Sequence, residues 1–184
     1  MIKLIISDFD GTLVDTFEAN YRAYQKAFAK VNLSLTKEDY RCCFGYRFER
    51  FMEKMDITDQ QTAHMIRETK KQYYPDYFSC LKINSPLVEL ISTFHHQGGK
   101  TSIASTARRE NLENALKHTG LYSIFDLILA GEEVKQGKPS PEIYEKVMQK
   151  MNVLPEETLI FEDSEVGIQA AKASKAHFLK IDII

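Results

Sequence analysis

Three carboxylates crowd into DFDGTLVD, residues 8 to 15, directly after a short apolar run, and Asp8 and Asp10 are one residue apart. Asp-Gly between apolar residues is also a β-hairpin signal, and acidic side chains favour turns. A hairpin needs a second strand after Gly11, but residues 12 to 14 offer only a short run before a helical pattern begins. The hairpin is therefore the weaker of two interpretations, and the other is a chemical site.

Polar side chains also follow three later apolar segments that we expect to be strands. Ser105 and Thr106 follow one segment, Lys138 lies in the loop GEEVKQGKPSP after the next, and Glu162 and Asp163 follow another. Ligands of open parallel sheets bind beyond the carboxyl ends of the strands, so these groups and the first two aspartates share one edge. Each pattern alone is also typical of a helix cap or a proline-rich loop. Their occurrence in this order favours a site.

The chemistry of this edge is predicted by its residue types. Carboxylates from two strand ends form a hard-oxygen site of the kind that Mg²⁺ prefers, because Mg²⁺ usually takes one or two carboxylates, waters and a substrate phosphate. A hydroxyl pair and a lysine beside such a site suit the remaining phosphate oxygens. The sequence therefore predicts phosphoryl transfer with Mg²⁺ as the cofactor.

The elements that position these residues are predicted from periodicity. Three amphipathic helical patterns follow residue 84: one with Ser85 as N-cap before Pro86, one closed by Gly120 and one opened by Ser140-Pro141. Their alternation with strands predicts an α/β fold with a doubly wound parallel sheet. The apolar segments lack clean alternation, as expected for strands covered on both faces. The predicted strands are residues 2–6, 101–104, 127–130, 158–161 and 177–181.

Residues 15–83 break this alternation, because aromatic residues recur there at helical spacing and no convincing strand is found. We expect a small helical lobe inserted between the first two core strands, with hinges near Val14 and Lys82. The predicted division is a core domain of residues 1–14 and 84–184 and a cap domain of residues 15–83.

Composition excludes some classes of partner. The formal net charge of −2 gives no basic field for a nucleic acid or an anionic membrane surface. No apolar run approaches the roughly 20 residues that span a bilayer, and Met1 leads directly into a strand without a signal-peptide pattern. Three cysteines without metal-ligand spacing suit reduced thiols. We expect a cytoplasmic protein, a monomer or weak dimer, whose partner is a small phosphorylated metabolite.

Four segments together resemble the motifs of the haloacid dehalogenase superfamily: DFDGTLVDT, the serine-threonine of AST, the lysine-proline of GKPSP, and FEDSEVGIQAAK. The resemblance covers nearly the whole chain. The helical insert is similar to the α-helical cap of the subfamily that includes phosphoglycolate phosphatases and β-phosphoglucomutase. This resemblance implies a Rossmann-like α/β core with an inserted cap, and a Mg²⁺-dependent phosphatase that hydrolyses a small phosphorylated metabolite through an aspartyl-phosphate intermediate.

The resemblance also implies residue roles. Asp8 is the expected nucleophile, and Asp10 is the expected acid that protonates the leaving oxygen and then activates water. Lys138 is expected to neutralise Asp8 and the phosphate, and the Asp10 backbone carbonyl is expected to bind the metal. The implied metal-binding positions are Asp8, Asp10, Asp163 and Glu162, and the implied phosphate-binding positions are Ser105, Thr106 and Lys138.

Other functions stay open at this stage. Dehalogenases of the superfamily lack the second aspartate of the first motif, so Asp10 argues against that activity. A sugar phosphomutase of the β-phosphoglucomutase type shares the motifs and the cap, but it carries a histidine early in the first cap helix where this chain has Asn20. A non-catalytic phosphate- or metal-binding protein is the remote alternative. Such a protein would be expected to lose the nucleophile or the acid, whereas this chain keeps both Asp8 and Asp10.

Overall fold

The computed structural model describes residues 1–182, in which helices pack around a central five-stranded sheet and a second sheet has two short strands. The elements are, in chain order, β1 Leu4–Ser7, β2 Val14–Asp15, α1 Phe17–Lys30, α2 Lys37–Cys43, α3 Phe48–Lys54, α4 Gln60–Tyr73, β3 Lys82–Ile83, α5 Ser85–His96, β4 Lys100–Ala104, α6 Arg109–His118, β5 Leu127–Leu129, α7 Glu142–Met151, β6 Thr158–Glu162, α8 Glu165–Ala173 and β7 His177–Lys180.

The central sheet has five strands in the order β5-β4-β1-β6-β7, and its neighbours pair in parallel. β1 lies in the middle, and its last residue, Ser7, is in register with Ile103 of β4 and Phe161 of β6. Strand order reverses beside β1, because the chain passes to β4 and β5 on one side and to β6 and β7 on the other. The predicted doubly wound parallel sheet is confirmed, and its carboxyl edge collects the loops after four strands.

Helices cover both faces of the sheet, which explains why the central strands are apolar without alternation. Ile5 of β1 belongs to a buried cluster with Ile91 of α5 and Leu112 of α6. Its neighbour Ile6 points to the other face and belongs to a second cluster with Tyr144 of α7. Successive side chains of one strand thus enter two different cores.

Helices α1 to α4 form the helical lobe between β2 and β3, with an aromatic cluster at its centre. Phe28 and Tyr24 of α1 contact Phe51 of α3, with ring centroids 5.8 Å and 5.0 Å apart. Tyr40 of α2 lies 5.7 Å from the same ring. Such aromatic pairs stabilise a small core beyond the area that they bury, by roughly 0.5–1.5 kcal/mol each. The aromatic pattern of the sequence therefore marks the core of the cap.

Two local predictions need correction. Residues 15–83 contain strand structure at both ends, because Val14 pairs with Ile83 and Asp15 with Lys82 in a two-stranded antiparallel sheet. Strands of two residues carry no periodicity, so only a long-range pairing defines them. The N-cap of α5 is Asn84 and not Ser85, since the Asn84 side chain accepts a hydrogen bond from the Leu87 N–H. Of the helices within residues 1–182, none combines the length and the apolar character needed to cross a bilayer.

Candidate active site

The segment after β1 folds as a compact turn and not as a hairpin. The Phe9 carbonyl accepts hydrogen bonds from Leu13 at 3.2 Å and Val14 at 3.0 Å, and Gly11 adopts a positive φ of 93°. A Cβ on Gly11 would also overlap the Asp163 carboxylate. Glycine is needed here for both reasons, because the backbone is left-handed and because it lies against an acidic side chain.

Lys138 joins two carboxylates from different strand ends. Its Nζ donates a hydrogen bond to Asp8 Oδ1 at 2.6 Å and another to Glu162 Oε1, and its side chain is only 2% exposed. Burial alone would lower the pKa of this ammonium, but Asp8 and Glu162 together raise it well above its usual value. Lys138 is therefore a fixed positive charge beside Asp8.

Glu162 is the fully buried anchor of Lys138. Besides Lys138, its Oε1 accepts a hydrogen bond from the Tyr144 hydroxyl at 2.8 Å. Its Oε2 accepts bonds from the Ser164 N–H and hydroxyl, both at 3.1 Å. A Cβ on Gly167, in the first turn of α8, would overlap this carboxylate. These contacts favour a role for Glu162 in holding Lys138 over direct contact with a metal.

Asp8, Glu162 and Asp163 form an acidic cluster in which one carboxylate oxygen of each residue lies within 4.8 Å of the other two. Burial, followed by the nearby Glu162 charge, raises the pKa of Asp163 to about 6. Burial also raises the pKa of Asp8 well above its ordinary value, although Lys138 opposes this shift. Several carboxylates beside a single lysine leave excess negative charge, and hard-oxygen donors of this kind fit a divalent cation such as Mg²⁺.

The Asp10 side chain lies apart from this cluster and has its own set of donors. Asp10 Oδ1 accepts hydrogen bonds from the Thr16 hydroxyl at 2.5 Å and from Asn20 Nδ2 at 3.2 Å. Asp10 Oδ2 accepts a bond from the Ser105 hydroxyl at 3.3 Å. Two carboxylates that are one residue apart in sequence thus have different surroundings, as two different chemical roles would require.

The two hydroxyls after β4 have separate contacts. Ser105 is fully buried, and its Oγ contacts Asp10 and accepts a bond from the Ala107 N–H at 3.0 Å. Thr106 Oγ1 donates to the Gly45 carbonyl of the cap at 3.4 Å. The structure therefore places Ser105 beside Asp10, whereas Thr106 faces the cap.

Several supporting residues were missed by sequence reasoning. Thr12 donates to Asp163 at 2.8 Å, and Thr16 donates to Asp10. Asn20 was noted only as the position of the mutase histidine, and its hydrogen bond to Asp10 was not foreseen. The threonines lie within the opening motif but carry no chemical signal of their own. Tyr144 lies among the apolar residues of α7 and has no motif of its own, although a buried tyrosine hydroxyl usually finds a polar partner, which is the signal that would have identified it.

A cavity of about 200 Å³ lies between the cap and the carboxyl edge of the sheet. Asp10 and Thr106 line it from the core side, and α4 contributes Arg67, Lys70 and Lys71. Many of the other lining residues are aromatic, and the charges are mixed, because Arg108 is basic whereas Glu110 and Glu132 are acidic. Such a cavity suits a small ligand that has both polar and apolar parts.

Comparison with known proteins identifies the family. The sequence profile described as haloacid dehalogenase-like hydrolase matches residues 5–181, nearly the whole chain. The chain is a haloacid dehalogenase-like hydrolase. Its relatives include a phosphorylated carbohydrates phosphatase of Thermotoga maritima, which is 32% identical over 180 residues, or 94% of this hydrolase and 82% of the relative. A fructose-1-phosphate phosphatase of Escherichia coli is 26% identical over 174 residues, or 92% of this hydrolase and 91% of the relative.

Solved structures agree with this membership. The CbbY protein of Rhodobacter sphaeroides, solved in complex with phosphate, has a TM-score of 0.90 at 26% identity and covers 100% of this hydrolase and 88% of that chain. A β-phosphoglucomutase of Clostridium difficile has a TM-score of 0.84 at 26% identity, and the match covers 98% of this hydrolase and 84% of that chain. The hydrolase is thus an enzyme with an α/β core and a helical cap, and its named relatives place it with the phosphatases of the family.

Proposed function

We propose that this hydrolase is a Mg²⁺-dependent phosphatase that releases phosphate from a small phosphorylated metabolite through an aspartyl-phosphate intermediate. The observation that carries the proposal is the contrast between the two aspartates of the opening motif. Asp8 is ion-paired with Lys138 at 2.6 Å within the acidic cluster, whereas Asp10 is held apart by Thr16, Asn20 and Ser105.

The proposed reaction has two steps at phosphorus. An Asp8 carboxylate oxygen attacks the phosphorus atom, the bond to the leaving oxygen breaks, and Asp10 in its acid form gives that oxygen a proton. The Asp10 carboxylate then takes a proton from a water molecule, which attacks the phosphorus of the aspartyl phosphate. This second step releases inorganic phosphate and restores the Asp8 carboxylate and the acid form of Asp10.

The remaining charged groups offset the charge of the phosphate. Mg²⁺ would be held by the carboxylates of Asp8 and Asp163 and by the Asp10 carbonyl, and it would neutralise phosphate oxygens that the carboxylates otherwise repel. Lys138 adds a fixed positive charge beside Asp8, and Ser105 is the candidate donor to a phosphate oxygen. Electrostatic support of this kind acts strongly at a buried site, where water screens charges poorly.

A phosphorylated sugar is the substrate class that the relatives favour. Relatives at 32% and 26% identity are named for phosphorylated carbohydrates and for fructose 1-phosphate. The cavity beside Asp10 presents tyrosines together with Lys70 and Arg67, which can contact hydroxyl groups and negative charges. The resemblance to a β-phosphoglucomutase makes a mutase the second candidate. Hydrolysis is favoured because Asn20, which contacts Asp10, has a neutral amide that cannot relay a proton as an imidazole does.

The proposal is tested with purified protein on a panel of sugar phosphates and small phosphorylated acids, with phosphate release as the readout. We expect Mg²⁺-dependent release that stops in excess EDTA and returns with added Mg²⁺. Undiminished turnover in EDTA would exclude the metal role. Conversion of one sugar phosphate into its isomer without phosphate release would favour the mutase.

A further inference from the structure

One turn of the cap lies across the carboxyl edge of the core sheet. This turn, residues 44–47, connects α2 with α3. Its Gly45 carbonyl accepts the Thr106 hydroxyl bond, and a Cβ on Gly45 would lie 3.4 Å from Ser164 Cβ. Its last residue, Arg47, reaches the loop that precedes Lys138. A single short segment of the cap therefore contacts the loops after β4, β5 and β6.

Arg47 makes the most specific of these contacts. Its guanidinium donates hydrogen bonds to the Gly131 carbonyl at 2.7 Å and the Lys135 carbonyl at 3.3 Å. The aliphatic part of its side chain packs directly on Gly137, where any Cβ would overlap Arg47 Cδ. The guanidinium reaches the two carbonyls of this loop with two different nitrogens held in one rigid plane, whereas a lysine carries all its donors on a single nitrogen at the end of a flexible chain. Gly137 provides the space for this contact, and Lys138 is the next residue.

The same loop is held from the other side by the core. Glu142, at the start of α7, accepts hydrogen bonds from the Lys135 N–H at 2.8 Å and the Gln136 N–H at 2.7 Å. The backbone around residue 135 is thus clamped between a core carboxylate and a cap guanidinium. Removal of Arg47 would leave these core contacts in place and release only the Gly131 and Lys135 carbonyls.

We propose that Arg47 is a positioning residue through which the seated cap fixes the loop of residues 131–137 and thereby Lys138. Lys138 must keep its ammonium between Asp8 and Glu162, and the backbone that carries it is anchored by Arg47 in the residues just before it. When the cap lifts from the core, these anchors are lost. The Lys138 ammonium is therefore held in position beside Asp8 only while the cap covers the site. The catalytic part of this inference rests on the proposed function, whereas the structural part does not.

The first test is a double-mutant cycle with p-nitrophenyl phosphate as substrate. Arg47→Met should lower kcat about tenfold with little change in KM, the scale expected when a charged hydrogen bond is lost. Gly137→Ala should have a similar effect, because its methyl group displaces the Arg47 side chain. The double variant should be no slower than either single variant, since both changes remove one contact. Arg47→Lys should be intermediate, and the exposed cap residue Arg22 supplies the control Arg22→Met, which should match wild type.

The second test measures the loop itself by amide hydrogen exchange without substrate. Arg47→Met should speed exchange in peptides that cover residues 131–138 about tenfold, while peptides from α7 and from α1 exchange as in wild type. Unchanged exchange in the loop, or additive losses of kcat in the cycle, would overturn the inference. If wild type cleaves no phosphate ester, the proposed function fails, and the exchange experiment still decides whether Arg47 holds the loop.

Discussion

Lys70 is a buried positive charge in the cap, and its removal is expected to stabilise the protein in a pH-dependent way. The residue lies in α4 and is 7% exposed. Burial lowers the pKa of its ammonium from 10.5 to about 8, and the attraction of Asp10 offsets only part of this effect. At about 1.4 kcal/mol per pKa unit, the charged form of Lys70 destabilises the folded state at neutral pH by roughly 3 kcal/mol.

The direction of the pH dependence follows from proton binding. Between pH 8 and pH 10.5 the unfolded chain keeps a proton on Lys70 that the folded chain has lost, so the free energy of unfolding rises with pH. Below pH 8 both states are protonated, and the full destabilisation is present. The Tyr74 ring, whose centroid lies 3.7 Å from Lys70 Nζ, favours the charged form by up to about 2 kcal/mol. The net destabilisation at pH 7 is therefore about 1 to 3 kcal/mol.

Lys70→Met tests this reasoning, because methionine has a similar length and no charge. Urea unfolding, followed by circular dichroism, should show that the variant is about 1 to 3 kcal/mol more stable than wild type at pH 7. The advantage should shrink towards zero near pH 10.5. Lys26→Met, at an exposed position of α1, is the control and should keep the wild-type dependence on pH. An equal gain at both pH values, or a loss of stability at pH 7, would refute the assignment of Lys70 as a destabilising buried charge.

Three further predictions concern the candidate site. Asp8→Asn should abolish turnover and trap no acyl phosphate in rapid-quench experiments, whereas Asp10→Asn should retain a trace on p-nitrophenyl phosphate, with a loss of roughly 10² to 10⁴; a label on Asp10 would reverse the two roles. Lys138→Ala should lower kcat/KM at least about 100-fold in protein that circular dichroism shows to be folded, and near-normal kinetics would leave this lysine a structural role only. Gly11→Ala should raise the Mg²⁺ concentration needed for half-maximal activity, because the new methyl group displaces the Asp163 carboxylate, and an unchanged Mg²⁺ dependence would contradict that contact.

The core of the fold could be predicted because its signals are local. Buried parallel strands are apolar on both faces, so residues such as Ile5 and Ile160 mark them without knowledge of the partners. The strand-end positions of Asp8, Lys138 and Asp163 followed from the same pattern, since a parallel sheet brings its carboxyl ends together. The structure places these three side chains at one edge, and their catalytic roles stay predictions.

The rest depended on contacts between residues far apart in sequence. The pairing of Val14 with Ile83 has no local pattern, because strands this short are defined only by their partner. The sequence around Tyr144 shows only an apolar helix face, because the partner of its hydroxyl, Glu162, is 18 residues away along the chain. The division into domains at residues 14 and 84 also stays a prediction, although the short antiparallel pair lies at this point of the chain.

The antiparallel pair of β2 and β3 has a consequence for how this chain could have been assembled. Asp15 and Lys82 are partners in that pair, so the entrance and the exit of the helical lobe are neighbours in space. The helical lobe therefore connects two paired strands as the loop of a hairpin does, and the distance between its two ends does not depend on the size of the lobe. Insertions are tolerated best where the two ends lie close together, since the parent fold is not stretched to admit them. The helical lobe is thus attached to the core through two short paired strands, and a lobe of another shape could be attached at the same strands without a change in the central sheet.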